Sequence, residues 1–170
     1  MASKDVTIRG AGIFGLSIAF ACLRRGARVR VIDPGGVGAG ASGGLVGALA
    51  PHVPENWNAK KAFQLESLLL ARRLWPEIEE IAGLPTGYAR TGRLQPIADD
   101  HALALARRRA EGAEALWGSA AQWEIVSSPP KTPNTPGWAP ARPTGKLIHD
   151  TLSAHLNPRL ASAALSEAVR

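Results

Sequence analysis

Two short stretches, Val6-Thr-Ile-Arg-Gly10-Ala-Gly12-Ile-Phe-Gly15 and Val29-Arg-Val-Ile-Asp33, decide the fold. Val6 to Ile8 is a β-branched run that predicts a strand. Apolar residues then recur at helical spacing until Gly26, which we expect to end the helix at the C′ position. The second stretch predicts another strand. Strand, helix and strand in this order predict a βαβ unit, the first unit of a doubly wound parallel sheet.

The glycine spacing between strand and helix is that of a dinucleotide-binding turn. Gly10 allows the tight turn, Gly12 lets a pyrophosphate approach the backbone, and Gly15 lets the helix pack on the sheet. The helix N-terminus offers amide groups and a positive dipole end to phosphates. Asp33, at the end of the second strand, can accept hydrogen bonds from ribose hydroxyls and disfavours NADP. The competing interpretation is an ordinary glycine-rich turn in an α/β domain.

The remaining pattern predicts several further elements. A long helix spans about Ala59 to Ala82, with a kink or new turn at Pro76 and a stop at Gly83. Further along, we expect a hairpin of 88–90 with 93–97, a helix capped by Asp99 and ending near 117, a strand over 122–126, a loop over 127–143, one or two strands within 146–155, and a helix from Asn157-Pro158 to 170.

Composition excludes some classes of protein. The chain has 170 residues, 45% of them hydrophobic and 20% charged, which is typical of a globular domain. Its only cysteine, Cys22, excludes an intrachain disulfide, and a small buried hydrophobe is favoured over a reactive thiol. No zinc site, signal peptide or membrane span is expected, so a cytoplasmic location is the default. The net charge of +6 comes from arginine clusters on separate helices, which favours a solvated surface over a nucleic-acid-binding tract.

The segment after Asp33 separates FAD from NAD. An NAD-binding domain would continue with another βα unit, whereas here Gly35-Gly-Val-Gly-Ala-Gly-Ala-Ser-Gly-Gly-Leu-Val-Gly-Ala-Leu-Ala-Pro51 follows. This run, together with Gly47-Ala-Leu-Ala-Pro-His52 and the long helix, resembles the FAD-dependent oxidoreductases that include D-amino-acid oxidase, glycine oxidase and sarcosine oxidase. It is also similar to the oxidase domain of the bacterial enzyme that modifies the tRNA wobble uridine. Residues 6–52 carry most of the resemblance.

The resemblance implies a set of FAD-binding residues. Ile13 and Phe14 would contact the pyrophosphate through the backbone, and Asp33 and Pro34 would lie at the ribose. The implied positions, together with the motif glycines, are Gly10, Gly12, Ile13, Phe14, Gly15, Asp33, Pro34, Ala41, Ser42, Val46, Gly47 and Ala48. Ala41 and Ser42 would begin a short helix facing the phosphates, and 46–48 would run along the flavin ring. A flexible surface loop is the alternative, but the apolar content of this stretch disfavours it.

The resemblance also implies the chemistry. A hydride would leave the substrate carbon next to an amine for flavin N5, and the resulting imine would hydrolyse. The catalytic residues remain unknown. His52 is a weak candidate whose alternative is a surface histidine, while Tyr88 is expected in hairpin packing. Arg90 and Arg93 could meet a substrate carboxylate, although solvated strand charges are favoured.

The resemblance predicts three segments and an incomplete protein. Residues 1–83 would form the Rossmann-like FAD-binding part, 84–145 the beginning of an α+β substrate domain, and 146–170 the return to the FAD-binding domain. Whole family members are longer, so we expect a fragment, a shortened gene product, or one subunit whose complementary C-terminal chain supplies the rest.

The leading hypothesis is an amine- or amino-acid-oxidising flavoprotein similar to glycine oxidase, with a small-molecule substrate. The alternatives are an oxidase acting on a modified tRNA wobble uridine, a non-catalytic nucleotide-binding subunit, and an NAD-binding domain. The absence of a methyltransferase-like partner domain disfavours the tRNA enzyme, and the segment after Asp33 disfavours NAD.

Overall fold

A computed structural model describes residues 4–128, 140–141 and 143–170. Its contacts divide the chain into two compact units. The first comprises Met1–Ala48, Arg72–Ala89 and His155–Arg170, and the second comprises Leu49–Ala71 and Arg90–Ala154. The chain therefore passes from one unit to the other several times. These bounds differ from the predicted segments, because 49–71 and 146–154 belong to the second unit and 84–89 belongs to the first.

The first unit contains the predicted βαβ arrangement. Strand β1 (Val6–Arg9), helix α1 (Ile13–Leu23) and strand β2 (Val29–Ile32) follow one another. The two strands are parallel, with Val6 opposite Val29. This pairing confirms the prediction made from the β-branched runs and the glycine turn between them.

Helix α1 ends at the predicted glycine. The helix runs to Leu23, and Gly26 adopts the left-handed conformation with φ of 80°. The Gly26 amide donates to the Leu23 carbonyl at 2.8 Å and the Ala27 amide to the Cys22 carbonyl at 3.1 Å, which is the hydrogen-bond pattern of a left-handed glycine at C′, so the predicted stop at Gly26 is confirmed. Cys22 is half-buried rather than buried as expected, since it lies toward the exposed C-terminal end of the helix.

After β2, a 3₁₀ turn (Ala41–Gly43) and strand β3 (Gly47–Leu49) lead to helix α2 (Ala59–Ala82). The bounds of α2 are those predicted, and the helix continues through Pro76. Gly83 ends it with φ of 62° and donates its amide hydrogen to the Glu79 carbonyl. The glycine stop signal is confirmed.

The second unit is built on a three-stranded antiparallel sheet against a helix. Its elements are β4 (Arg93–Pro96), α3 (Asp100–Trp117), β5 (Trp123–Val126) and β6 (Leu147–Asp150), with strand order β4-β6-β5. The Asp99 side chain caps α3 by accepting from the Ala102 amide, as predicted. Trp117 and Trp123 meet edge to face with centroids 5.9 Å apart in the core.

The predicted hairpin around Thr91-Gly92 is wrong. Strand β4 pairs with β6 instead, and Ala89 forms an isolated bridge with His155. Gly92 does turn the chain, with φ of 75°. However, each predicted arm finds its hydrogen-bonding partner in a segment far along the chain, a separation that local pattern does not reveal.

The end of the chain matches its pattern. Strand β7 (Ala154–Leu156) pairs with β3, so 146–155 contributes to two strands as predicted. Helix α4 (Pro158–Ala168) begins at the Asn157 cap with Pro158 in its first turn. The loop predicted over 127–143 lies largely outside the described residues.

Candidate flavin-binding site

The N-terminus of α1 is the centre of the candidate site. A Cβ placed on Gly15 would lie 1.9 Å from the Gly10 carbonyl oxygen, so the helix packs on the first strand more closely than any side chain allows. A Cβ on Gly12 would lie 3.0 Å from Ser42 Oγ. Gly10 has φ of 107°, a conformation that strongly favours glycine. The geometry therefore explains why each of these three positions is a glycine.

Some amide groups of the first turn of α1 donate hydrogen bonds within the protein and others do not. Ile13 N–H donates to Ser42 Oγ at 2.9 Å, while Leu16 N–H donates to the Gly12 carbonyl. Within the described part of the chain, the Phe14 and Gly15 amides have no acceptor. Phe14 itself is 85% exposed. An incoming phosphate thus finds two unpaired donors at a positive helix end.

Asp33 joins the end of β2 to the glycine turn. Its Oδ2 accepts from the Ala11 amide at 2.7 Å and its Oδ1 from the Gly35 amide at 2.8 Å. These backbone hydrogen bonds, with the Ala11 bond first, lower the pKa of the Asp33 carboxyl. Each oxygen retains a second lone pair, so the carboxylate can still accept from ribose hydroxyls.

A cavity of about 300 Å³ adjoins this carboxylate. Asp33 lines it together with Ala11, Gly36 and Val37. A concave space beside a pre-oriented carboxylate fits a nucleoside sugar. Pro34 follows Asp33 on the exposed surface.

Ala41 and Ser42 begin a 3₁₀ turn, which gives the expected short helix. Through Ser42 Oγ, this turn contacts the N-terminus of α1. Ala41 is exposed and Ser42 half-buried. The structure therefore brings Ser42 together with Gly12 and Ile13, which lie about 30 positions earlier.

Of residues 46–48, which were expected along the flavin ring, two are exposed and one is packed against a neighbouring strand. Val46 is 82% exposed, and Ala48 is also exposed. Gly47 packs against β7, where a Cβ would lie 2.7 Å from Leu156 Cδ1. Packing thus gives Gly47 a structural reason that is independent of a flavin.

The candidate catalytic side chains His52, Arg90 and Arg93 all lie in the second unit. The His52 amide donates to Gln64 Oε1 at 2.7 Å. Arg93 forms an ion pair with Asp150, which is fully buried. Arg90 donates to the Thr151 and Ala120 carbonyls. The expectation of solvated strand charges is therefore wrong for these arginines, since both hold the second unit together.

Sequence reasoning missed some contributors to the site. Ala11 donates to Asp33, and Gly38 donates to the Ala11 carbonyl at 3.0 Å. Arg159 donates from Nε to the Gly43 carbonyl at 2.8 Å. Gly38 lies in the glycine-rich run after Asp33, which did predict a cofactor-binding stretch. Nothing in the sequence pattern of α4 indicates that Arg159 contacts a residue 116 positions earlier.

The residues present fit a dinucleotide. The described residues contain no group of three or more His, Cys, Asp or Glu side chains suited to a metal ion. No described helix combines the length and apolarity needed to cross a membrane. A glycine turn, a free helix end and an acidic residue closing the second strand together define a nucleotide-binding α/β protein.

The family follows from comparison with known proteins. The profile of the family described as FAD dependent oxidoreductase (DAO) matches residues 5–170. The chain therefore belongs to this family, whose cofactor is FAD.

Two curated relatives have modest identity. The chain is 30% identical over 146 residues to the tRNA 5-methylaminomethyl-2-thiouridine biosynthesis bifunctional protein MnmC of Chromohalobacter salexigens, a match that covers 80% of this chain and 20% of the relative. It is 34% identical over 97 residues to the bifunctional protein ThiO/ThiG of Nostoc sp., covering 56% of this chain and 15% of the relative. The chain thus spans a fifth or less of these proteins.

Solved structures share the fold. Glycine oxidase from Geobacillus kaustophilus superposes with a TM-score of 0.73 at 21% identity, covering 98% of this chain and 44% of that one. L-amino acid deaminase from Proteus myxofaciens gives a TM-score of 0.72 at 20% identity, covering 99% and 36%. Nearly all of this chain therefore corresponds to less than half of each of these two proteins.

Proposed function

We propose that this chain is part of an FAD-dependent oxidoreductase that oxidises the carbon–nitrogen bond of a small amine or amino acid, in the manner of glycine oxidase. The observation that carries the proposal is the α1 N-terminus, where the Phe14 and Gly15 amides have no acceptor among the described residues and Asp33 accepts from the nearby Ala11 amide, in a chain of the FAD-dependent oxidoreductase family. Glycine oxidase and L-amino acid deaminase, named above, support the substrate class.

Each proposed contact has a physical basis. The Phe14 and Gly15 amides would hold the pyrophosphate, with Gly12 leaving room for it, while Asp33 would accept from the ribose. The Ser42 hydroxyl can donate to a phosphate oxygen while its Oγ accepts from Ile13. The strip of 46–48 would lie along the ring system. Bound FAD would supply the hydride acceptor for the substrate carbon.

Other parts of the proposal rest on the sequence. The first compact unit, which contains the start of α1 and Asp33, would serve FAD binding, and the second unit would begin the substrate domain. His52 remains a catalytic candidate without a demonstrated role. A cytoplasmic location and a complementary C-terminal chain also stay predictions. The relatives' greater length supports the idea that further polypeptide completes the enzyme.

Absorbance spectroscopy tests the proposal. The purified chain is incubated with FAD, desalted and scanned for flavin bands, and a panel of amines and amino acids is then added without oxygen. Retained flavin that bleaches with an amino acid supports the function. Flavin that is retained but bleached by no amine or amino acid would contradict the proposed substrate class.

A tRNA substrate is the second candidate. The identity to MnmC over 80% of this chain and the net charge of +6 both favour it, since cationic surfaces attract RNA. Bleaching of the bound flavin by tRNA that carries an alkylated wobble uridine, but not by free amino acids, would select this candidate. Bleaching by free amino acids alone would reject it.

A further inference from the structure

The glycine loop, defined here as residues 36–43, is held by helix α4. Arg159, in the first turn of α4, donates from Nε to the Gly43 carbonyl at 2.8 Å. One turn further along, Ser162 packs against Gly38, where a Cβ would lie 3.5 Å from Ser162 Cβ. Two successive turns of the helix thus contact two parts of the same loop.

The loop is compact enough to transmit this contact. A Cβ on Gly43 would lie 2.6 Å from the Gly38 carbonyl oxygen, so these two parts of the loop touch through their backbones. The Gly38 amide donates to the Ala11 carbonyl. The Gly38 and Gly43 ends of the loop are therefore in direct contact, and Gly38 is in turn hydrogen-bonded to Ala11.

The same loop reaches the phosphate end of α1. Ser42, next to Gly43, accepts from the Ile13 amide at 2.9 Å. An unbroken path of hydrogen bonds and peptide bonds thus links Arg159, Gly43, Ser42 and Ile13. A side-chain hydrogen bond lies at each end of this path, and a single peptide bond joins Ser42 to Gly43 between them.

The start of α4 is itself fixed. The Asn157 side chain accepts from the amides of Arg159 and Leu160, at 3.0 and 3.3 Å. Because this cap fixes the Arg159 backbone, the side chain extends toward the loop from a fixed position. A planar guanidinium also loses less freedom for each hydrogen bond than a lysine ammonium does.

We propose that Arg159 is a positioning residue that presets the glycine loop, and with it the Ser42 hydroxyl, for the FAD pyrophosphate. This proposal rests on the proposed function for its ligand. Arg159 touches no cofactor atom in this role. Its effect is to hold the loop in the binding geometry before the cofactor arrives, which lowers the ordering cost of binding.

Hydrogen exchange of the ligand-free chain tests the positioning directly. In Arg159→Gln we expect the hydrogen-bonded loop amides of Gly38, Ala39 and Gly43 to exchange about fivefold faster, as the loss of one hydrogen bond allows, with an intermediate effect in Arg159→Lys. Arg25→Gln is the matched control, because Arg25 is exposed and donates to the Ala21 carbonyl of its own helix. Equal loop exchange in wild type and Arg159→Gln would overturn the proposal.

FAD affinity separates positioning from direct contact. We expect Arg159→Gln to bind FAD about fivefold more weakly, with Arg25→Gln unchanged. Weaker binding without faster loop exchange would overturn the positioning role and assign Arg159 to direct phosphate contact. Faster loop exchange in Arg159→Gln, in a chain whose wild type binds no FAD, would uphold the contact between Arg159 and the loop but contradict an FAD site formed by this chain alone.

Discussion

Gly15 shows how one residue couples helix packing to the nucleotide site. A Cβ at this position would lie only 1.9 Å from the Gly10 oxygen, which leaves no room for a methyl group. The contacting atom belongs to the backbone and cannot rotate away. Any side chain at this position must therefore move α1 relative to the strand that precedes it.

We predict that Gly15→Ala lowers the free energy of unfolding by about 1–3 kcal/mol, the range typical of overpacking. Urea denaturation of the purified variant checks this. Gly44→Ala is the matched control, because Gly44 has extended backbone and a Cβ there would meet only ordinary contacts. Equal midpoints for the two variants would contradict the packing argument.

Asp33 gives the first unit a dependence on pH. Its pKa is lowered in the folded chain, chiefly by the hydrogen bond from the Ala11 amide. A lowered folded pKa means that the carboxylate contributes stability above the pKa of the unfolded state. This contribution is lost as pH falls through the folded value.

We predict that Asp33→Asn is less stable than wild type at neutral pH and that the difference narrows in acid, below the ordinary range of aspartate. Urea midpoints between about pH 7 and pH 3 measure it. The Asn side chain offers one acceptor oxygen in place of two, so one of the two amides loses its partner. A difference that stays constant with pH would show that the charge of Asp33 is not involved.

At the scale of elements, the end of α2 is joined to the segment that follows by a carboxylate cap. Glu79 Oε1 accepts from both the amide and the hydroxyl of Thr86, at 2.7 and 2.6 Å. Thr86 is completely buried. The pair of hydrogen bonds lowers the pKa of Glu79, with the Thr86 hydroxyl as the largest cause.

We predict that Glu79→Gln lowers the free energy of unfolding at neutral pH by about 1–2 kcal/mol, since hydrogen bonds to a charged acceptor are replaced by neutral ones. This loss of stability is present above the ordinary pKa of glutamate. It disappears as the pH falls through the lowered pKa of Glu79 in the folded chain. Glu80→Gln, a neighbour on the same helix, is the control in thermal or urea unfolding. A Glu80→Gln effect of equal size would contradict the cap.

Local signals predicted most elements because their causes are local. The bounds of α2 follow from apolar periodicity and the Gly83 stop, and the starts of α3 and α4 follow from Asp99 and Asn157. Long-range contacts explain the two failures, which are the wrong hairpin at Gly92 and the missed Arg159 contact. Both depend on partners far along the chain, and neither a turn residue nor a helix-surface arginine specifies such a partner.

At the scale of the whole molecule, several large apolar side chains of the first unit are exposed. Phe14, Ile18, Leu45 and Val46 are 85%, 53%, 71% and 82% exposed. Phe14 and Ile18 lie one turn apart on α1. Exposed apolar side chains that are neighbours on a helix surface favour association or ligand contact.

We predict that the isolated chain self-associates as its concentration rises and that Ile18→Gln reduces this association. Sedimentation velocity over a concentration series measures it. Arg25→Gln, on the same unit, serves as the control for a surface change that removes no apolar side chain. Identical concentration dependence for wild type and Ile18→Gln would show that this face does not drive association.

The measurement that tests the central claim most directly is an amide NMR titration of the isotope-labelled chain with FAD, for wild type and Gly12→Val. We expect FAD to shift the amide signals of 10–15, Asp33 and Ser42 in the wild type. Gly12→Val should abolish these shifts, because its side chain meets Ser42 and fills the space in front of the helix N-terminus. Shifts confined to other residues, or FAD binding retained in Gly12→Val, would contradict a pyrophosphate site at the start of α1.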